Sequence, residues 1–232
     1  MRAILVLTCI LTLSACASPD APEGRADAPG ARAGAPATPV ATAVPRADRP
    51  RIVVLGDSLA AGYGLERGES FPDRLQQRLD AAGYAFEVAN ISVSGDTSAG
   101  GLRRLDWALD GDVRVLIVEL GGNDGLRGLP VDELKANLAA IITRARKRGA
   151  RVLLTGMEAP PNFGPAYTAA FRRVYRDLAA EHGVALLPFL LDGVAGDPAL
   201  NIADGIHPNP QGARLVEQNV WRVLEPLLQR PS

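Results

Sequence analysis

Five short runs of apolar residues recur along the chain from Arg51 onward, and they are rich in Val, Ile and Leu. They do not alternate apolar with polar positions, which is typical of strands that are buried on both faces of a sheet. We therefore predict five interior strands. The runs are Ile52–Leu55, Phe86–Ile91, Val113–Leu120, Val152–Met157 and Val184–Phe189.

Longer amphipathic stretches separate and follow these runs, and their spacing predicts helices. They are Phe71–Ala82, Leu102–Leu109, Val131–Lys147, Ala166–Glu181 and Pro210–Leu228. Strands that alternate with helices indicate βαβ units, joined by right-handed crossovers in a parallel sheet. The pattern predicts one three-layer α/β/α domain over residues 51–229.

The first fifty residues have a different composition. Residues 1–17 combine Arg2, an apolar run and small residues, as in an export signal, and the run is shorter than the roughly 20 residues that span a bilayer. Leu13-Ser14-Ala15-Cys16 resembles a bacterial lipobox, which implies lipidation of Cys16, whereas Ala15-Cys16-Ala17 is an A-x-A site whose cleavage releases a soluble protein. Residues 18–50, rich in Ala, Pro, Gly and Arg, predict a disordered tether.

These segments predict a cell-envelope protein. Under the lipobox interpretation it is an outer-membrane lipoprotein facing the periplasm, with membrane contact through the N-terminal lipid only. Under the other interpretation it is periplasmic or secreted. We expect a monomer. A domain of this length needs no disulfide or metal to hold it together.

Composition narrows the classes of function. The formal net charge is −1 and both signs are interspersed, so no basic field predicts a nucleic-acid partner. Both cysteines, Cys9 and Cys16, lie in the extreme N-terminus, and the only histidines are His182 and His207. No spacing suits a metal site, so we expect no bound metal ion.

A serine follows the first predicted strand directly, in Gly56-Asp57-Ser58-Leu59. The carboxyl end of a strand in a parallel sheet is where a side chain can act on a ligand. The alternative is that Asp57 or Ser58 only caps the next helix. The α/β-hydrolase pattern G-x-S-x-G is absent, because Ala60 occupies the second glycine position.

Asp204-Gly205-Ile206-His207-Pro208 lies near the C-terminus. A carboxylate three residues before a histidine can reach its Nδ1 across one tight turn and fix the tautomer. A capping aspartate and a surface histidine remain the alternative. Asn209 and Pro210 predict the N-cap and first residue of the last helix. His182, which precedes Gly183, is interpreted as a structural residue at a helix C-terminus.

Two more polar blocks follow the second and third strands: Ser94-Gly95-Asp96-Thr97 and Gly121-Gly122-Asn123-Asp124. Ester hydrolysis needs hydrogen-bond donors aimed at a developing oxyanion. The N–H groups of Ser58 and Gly95 and the side-chain amide of Asn123 are candidates. Each block alone is equally consistent with an ordinary turn.

The four blocks, in this order, resemble those of the SGNH/GDSL hydrolases, and the resemblance covers roughly Arg51–Leu228, the whole predicted domain. Longer matches, such as Val118–Gly128, are similar to the bacterial thioesterase I, lysophospholipase and arylesterase branch. The resemblance implies a five-stranded parallel sheet in the flavodoxin-like order 2-1-3-4-5. It also implies roles: Ser58 as nucleophile, His207 as base, Asp204 as its orienting carboxylate, and the three donors as the oxyanion hole. Water resolves the acyl-enzyme without a cofactor.

The loop after the fourth strand resembles the substrate-binding loop of this branch. We expect its residues, together with Ile206, to line an acyl groove, although ordinary loop packing explains them equally well. The loop residues concerned are Met157, Pro160, Pro161 and Phe163. Glu119, late in a buried strand, is interpreted as a hydrogen-bonded structural carboxylate.

The sequence thus predicts a serine esterase acting on a small-molecule or lipid acyl ester. Two rival functions stay open. One is a carbohydrate O-deacetylase on the same fold. The other is a tethered, non-catalytic binding module, although none of the five expected site residues is missing here.

Overall fold

In the computed structural model, which describes residues 48–228, five parallel strands form one sheet in the order β2-β1-β3-β4-β5. This confirms the order that the family resemblance implied. The strands are β1 (Arg51–Gly56), β2 (Glu87–Asn90), β3 (Val113–Glu119), β4 (Arg151–Thr155) and β5 (Ala185–Leu187). The helices are α1 (Ser58–Ala61), α2 (Phe71–Ala81), α3 (Ser98–Arg103), α4 (Leu105–Ala108), α5 (Gly122–Leu126), α6 (Val131–Lys147), α7 (Gly164–His182) and α8 (Pro210–Leu228).

The sheet lies between two helical layers, as predicted. Helices α2 and α8 pack together on one face, and α6 packs with α3 and α7 on the other. The central strands β1 and β3 are almost entirely buried, which explains why their sequences do not alternate. Since all five strands are parallel, the loops after them meet at one edge of the sheet. The predicted site residues lie on these loops and on the short helices α1 and α5.

The predicted helix Leu102–Leu109 is the element that differs most from the structure. A helix begins earlier, at Ser98, and breaks at Arg104 into α3 and α4. Thr97 caps α3 by accepting a hydrogen bond from the backbone N–H of Gly100. Gly100 and Gly101 favour helix poorly, so the sequence pattern hides this start. Packing requires glycine here, since a Cβ at position 101 would lie 2.2 Å from the Leu120 side chain.

Two short helices, α1 and α5, were not predicted because four or five residues cannot show a helical period. Each begins at the end of a strand, α1 after β1 and α5 after β3. Asp57 caps α1 by accepting a hydrogen bond from the N–H of Leu59. These two turns set the positions of Ser58 and Asn123.

The predicted boundary between tether and domain falls slightly too late in the chain. Arg49 forms an ion pair of 2.8 Å with Asp80, and the Pro50 carbonyl accepts a hydrogen bond from the N–H of Glu87. The predicted signal, Cys16 and most of the predicted tether lie outside the described residues. Within residues 48–228, none of the helices has the length and apolar character needed to cross a membrane.

Candidate active site

Three of the predicted residues form a continuous hydrogen-bonded chain. Nε2 of His207 lies 2.8 Å from Oγ of Ser58, and its Nδ1 lies 2.6 Å from Oδ2 of Asp204. With Nδ1 protonated, His207 donates to Asp204 and accepts from the Ser58 hydroxyl. This arrangement lets the imidazole take a proton from the serine while the carboxylate holds the required tautomer.

The turn before α8 explains how Asp204 reaches the imidazole. Oδ1 of Asp204 accepts hydrogen bonds from the backbone N–H groups of Ile206 and His207, which leaves Oδ2 free for Nδ1. These bonds, led by the His207 N–H, lower the pKa of Asp204 to about 2. Asn209 then caps α8 by accepting from two backbone N–H groups, as predicted. Asp204 is therefore a carboxylate at neutral pH.

An exposed tyrosine contacts the other side of the imidazole. The ring centroids of Tyr63 and His207 are 4.6 Å apart, with the planes tilted by 44°. Tyr63 is 55% exposed, so it forms part of the site opening rather than of the core. Tyr63 was not among the predicted site residues, although it lies in the block that follows Ser58.

The expected oxyanion donors lie at the ends of three neighbouring strands. Ser58 begins α1 after β1, Asn123 lies in α5 after β3, and Gly95 lies in the loop after β2. Gly95 has φ of +82°, a conformation that favours glycine. Its carbonyl accepts a hydrogen bond of 2.8 Å from Arg127, which joins the β2 and β3 loops.

The amide of Asn123 is already engaged in this structure. Its Nδ2 donates to Oδ2 of Asp57 and to the carbonyl of Asp96, each at 3.0 Å. An amide nitrogen carries two hydrogens, so both have protein acceptors. An oxyanion must therefore share one of these hydrogens with an existing acceptor.

Buried acidic side chains lie directly beneath the site. Asp57 is 1% exposed, and burial raises its pKa to about 6. Glu119 is fully buried; burial, followed by the charge of Asp57, raises its pKa well above the usual value. Asp124 is also buried, and it accepts hydrogen bonds from the N–H and hydroxyl of Ser98. Glu119 accepts a hydrogen bond from the backbone N–H of Asp57, so its side chain is hydrogen-bonded, as expected.

A cleft of about 630 Å³ opens beside Ser58 and His207, and most of its lining is apolar. Four of the five predicted groove residues line it: Met157, Pro160, Pro161 and Ile206. Other apolar residues that line the cleft were not predicted; they are Leu59, Leu126, Phe189, Leu191 and Ala195. Phe189 and Leu191 follow β5. Because the ends of parallel strands share one edge of the sheet, this position could have indicated that the two residues line the cleft.

Phe163, the fifth predicted groove residue, does not line this cleft. Its ring covers Gly128, where a Cβ would lie 2.4 Å from the ring, and it contacts Tyr167 with centroids 5.3 Å apart. Gly128 lies just after α5, so the Phe163 ring packs the loop after β4 against the segment after α5. The apolar character of its own loop gave no means to distinguish this contact from the groove.

The remaining candidates are placed away from this chemistry. His182 ends α7, before a left-handed Gly183, and its carbonyl accepts a hydrogen bond from Arg146, as a structural residue would. In the part of the chain that the structure describes, no three His, Cys, Asp or Glu side chains are grouped to hold a metal ion.

Comparison with known proteins identifies relatives over the whole folded domain. The chain is 48% identical to "Esterase TesA" of Pseudomonas aeruginosa over 178 residues, which cover 76% of this chain and 89% of the relative. It is 40% identical to an "Arylesterase" of Vibrio mimicus, covering 75% and 88% of the two chains. It is 37% identical to "Thioesterase 1/protease 1/lysophospholipase L1" of Escherichia coli, covering 78% and 86%.

Solved structures agree with these relatives. The crystal structure of TesA matches with a TM-score of 0.74 and 47% identity, covering 76% of this chain and 99% of that one. A psychrotrophic esterase, EstA from Pseudoalteromonas sp., in a structure inhibited by monoethylphosphonate, matches with a TM-score of 0.74 and 34% identity, covering 78% and 99%. The model of the GDSL-like lipase/acylhydrolase family matches residues 54–215. The chain belongs to this family, and it is an esterase of the SGNH type.

Proposed function

We propose that this domain hydrolyses carboxylic esters through an acyl-enzyme on Ser58. The observation that carries the proposal is the hydrogen-bonded chain from Asp204 through His207 to the Ser58 hydroxyl. A serine is a weak nucleophile until a neighbouring base removes its proton, and this chain supplies the base and the group that orients it.

The reaction has two halves. His207 Nε2 takes the Ser58 proton while Oγ bonds to the acyl carbon, and the carbonyl oxygen becomes an oxyanion. When this intermediate collapses, the bond to the leaving oxygen or sulfur breaks, and His207 gives that atom the proton. Water then attacks the acyl-enzyme, with His207 again as base, releasing the acid and restoring Ser58. Asp204 stays ionised throughout and stabilises the imidazolium.

The proposed oxyanion hole consists of the N–H groups of Ser58 and Gly95 and the amide of Asn123. Replacement of Asn123 by alanine removes one donor, so kcat should fall by about 10²–10³-fold while KM changes much less. Steady-state kinetics on a soluble aryl ester measure both constants. Asn137→Ala is the matched control, because this amide also donates to a side chain, Ser98 Oγ, but lies on α6. A raised KM with unchanged kcat in Asn123→Ala would assign it to ground-state binding instead.

We further propose that the substrates have medium-length acyl chains or aryl groups, with thioesters and lysophospholipids as secondary substrates. The apolar lining of the 630 Å³ cleft supports this, as do the names of the relatives.

Attachment to the cell envelope through Cys16 belongs to the same proposal, and its support is the lipobox-like motif.

Chain-length dependence tests the acyl cleft. Each CH₂ buried there contributes at most about 0.8 kcal/mol, so four added carbons should raise kcat/KM by roughly two orders of magnitude. Phe189→Ala removes an aromatic wall of the cleft and should flatten this dependence while sparing acetyl esters. Phe163→Ala is the matched control and should keep the wild-type dependence, since this ring lies outside the lining. A series of p-nitrophenyl esters provides the measurement.

The same series decides between the proposal and its rivals. If acetyl esters are the best substrates and Phe189→Ala behaves as the wild type, the carbohydrate deacetylase becomes the better assignment. If no ester is hydrolysed, the tethered binding module replaces both.

A further inference from the structure

We infer that Glu119 is a positioning residue of the oxyanion hole and that it acts through Asp57. The inference rests on the proposed esterase mechanism and adds a residue to it. Glu119 ends β3, directly opposite Gly56 of β1 in the sheet register. Its Oε2 accepts a hydrogen bond of 3.0 Å from the backbone N–H of Asp57, the residue before Ser58. It therefore holds the turn that carries the nucleophile and its backbone N–H.

The space for this carboxyl group is built into the strand pair. A Cβ at position 56 would lie 2.5 Å from Oε2 of Glu119, so glycine is what allows the approach. The other oxygen, Oε1, is buried as well. Burial of a carboxyl group carries a large desolvation penalty, so the group is expensive for a merely structural role.

Asp57 links Glu119 to two of the proposed oxyanion donors, the backbone N–H of Ser58 and the amide of Asn123. Its Oδ1 accepts from the N–H of Leu59, and its Oδ2 accepts from Nδ2 of Asn123. Ser58 lies between the two backbone N–H groups that are fixed in this way. A shift of Asp57 would consequently move the Ser58 N–H and the Asn123 amide together.

A cation completes the network on the side of β2. Arg104 forms a 2.7 Å ion pair with Asp96, and its Nη2 donates to the carbonyl of Gly56. The Asp96 carbonyl accepts the second hydrogen of Asn123, and Asp96 is the neighbour of Gly95. The residues that carry all three donors are thus joined to the strand end where Glu119 lies.

Charge also favours a neutral Glu119. Burial is the largest effect that raises its pKa, and the nearby Asp57 carboxylate raises it further, whereas the N–H groups of Asp57 and Ala60 and the cation of Arg104 act in the opposite sense. Asp57, with a pKa of about 6, is ionised at neutral pH. The raised pKa of Glu119 favours a pair that carries a single negative charge, placed where the Asn123 amide can stabilise it. Glutamine, which has the same shape without a charge, should therefore replace Glu119 well.

Three variants test this, with kcat expressed per site labelled by a fluorophosphonate. In Glu119→Gln, kcat should stay within about threefold of wild type, because the amide oxygen still accepts from Asp57. In Glu119→Ala, kcat should fall by about 10–100-fold with KM changed by less than about twofold, since small displacements of catalytic groups have effects of this size. Glu119→Asp, shorter by one methylene, should resemble Glu119→Ala, and it decides the matter if the alanine variant does not fold.

Glu217 provides the matched control. It is another buried carboxyl group, it lies on α8, and it forms an ion pair of 3.2 Å with Arg78. Glu217 does not line the cleft. Glu217→Ala should lower the melting temperature and leave kcat per labelled site unchanged. Wild-type kcat in folded Glu119→Ala or Glu119→Asp would overturn the inference, as would a Glu119→Gln variant as impaired as the alanine variant. Failure of the probe to label Ser58 in the wild type would instead refute the proposed mechanism itself.

Discussion

Replacement of Ser58 by alanine should abolish ester hydrolysis, with kcat reduced by roughly 10⁶-fold, the size of loss seen when a triad nucleophile is removed. The fold should be unaffected, because the Ser58 side chain is only partly buried and its hydroxyl bonds to His207 at the cleft. Residual activity would come from donors that still bind the oxyanion. Equal melting temperatures for wild type and variant would show that chemistry rather than folding was lost.

Covalent labelling makes the same point independently of turnover. A fluorophosphonate should label the wild type at one peptide that contains Ser58, and the alanine variant should not be labelled. Ser94→Ala is the matched control, because Ser94 is exposed in the loop beside Gly95 and should leave labelling intact. Labelling that persists in Ser58→Ala would assign the nucleophile to another serine.

Asp204→Asn should lower kcat by about 10⁴-fold, the loss known for this substitution in serine protease triads. The turn should survive, because an asparagine Oδ1 can still accept from the N–H groups of Ile206 and His207. The other side-chain atom, however, becomes an NH₂ that faces Nδ1. It favours the tautomer with the proton on Nε2, which cannot accept the Ser58 proton.

Steady-state kinetics and a crystal structure of the Asp204→Asn variant check this argument together. Asp197→Asn is the matched control, since Asp197 makes a similar side-chain contact, to the N–H of Ala199, earlier in the same segment. The control should keep wild-type kcat. More than a tenth of wild-type kcat in Asp204→Asn would show that the carboxylate does not set the tautomer of His207.

The fold was largely predictable because its signals are local or periodic. Buried parallel strands produce unbroken apolar runs, and long helices such as Val131–Lys147 produce a clear amphipathic period; this helix was predicted with the bounds that the structure shows. The polar blocks at the strand ends were predictable for the same reason, since parallel strands bring their carboxyl ends to one edge. The start of α3 was missed because packing against Leu120, not helix propensity, selects Gly101.

Contacts between distant segments were not predictable from the sequence. Phe163 was predicted to line the groove and lies outside the cleft, whereas Phe189, predicted as the last residue of the fifth strand, lines it. The bond between Glu119 and Asp57 depends on the register of β1 against β3, which apolar runs of this kind leave undetermined. The double engagement of the Asn123 amide likewise follows from the positions of three loops.

The close approach of β1 and β3 at Gly56 limits how this site can vary. A Cβ at position 56 would meet not only Glu119 but also the side chains of Ala60 and Ser92, at 2.5, 2.7 and 2.8 Å. Glycine at position 56, the first residue of the block that contains Ser58, is therefore required by the side chains at three other positions. Directed evolution that randomises position 56 alone and selects for activity should therefore recover only glycine, because any larger residue also displaces Glu119, Ala60 and Ser92.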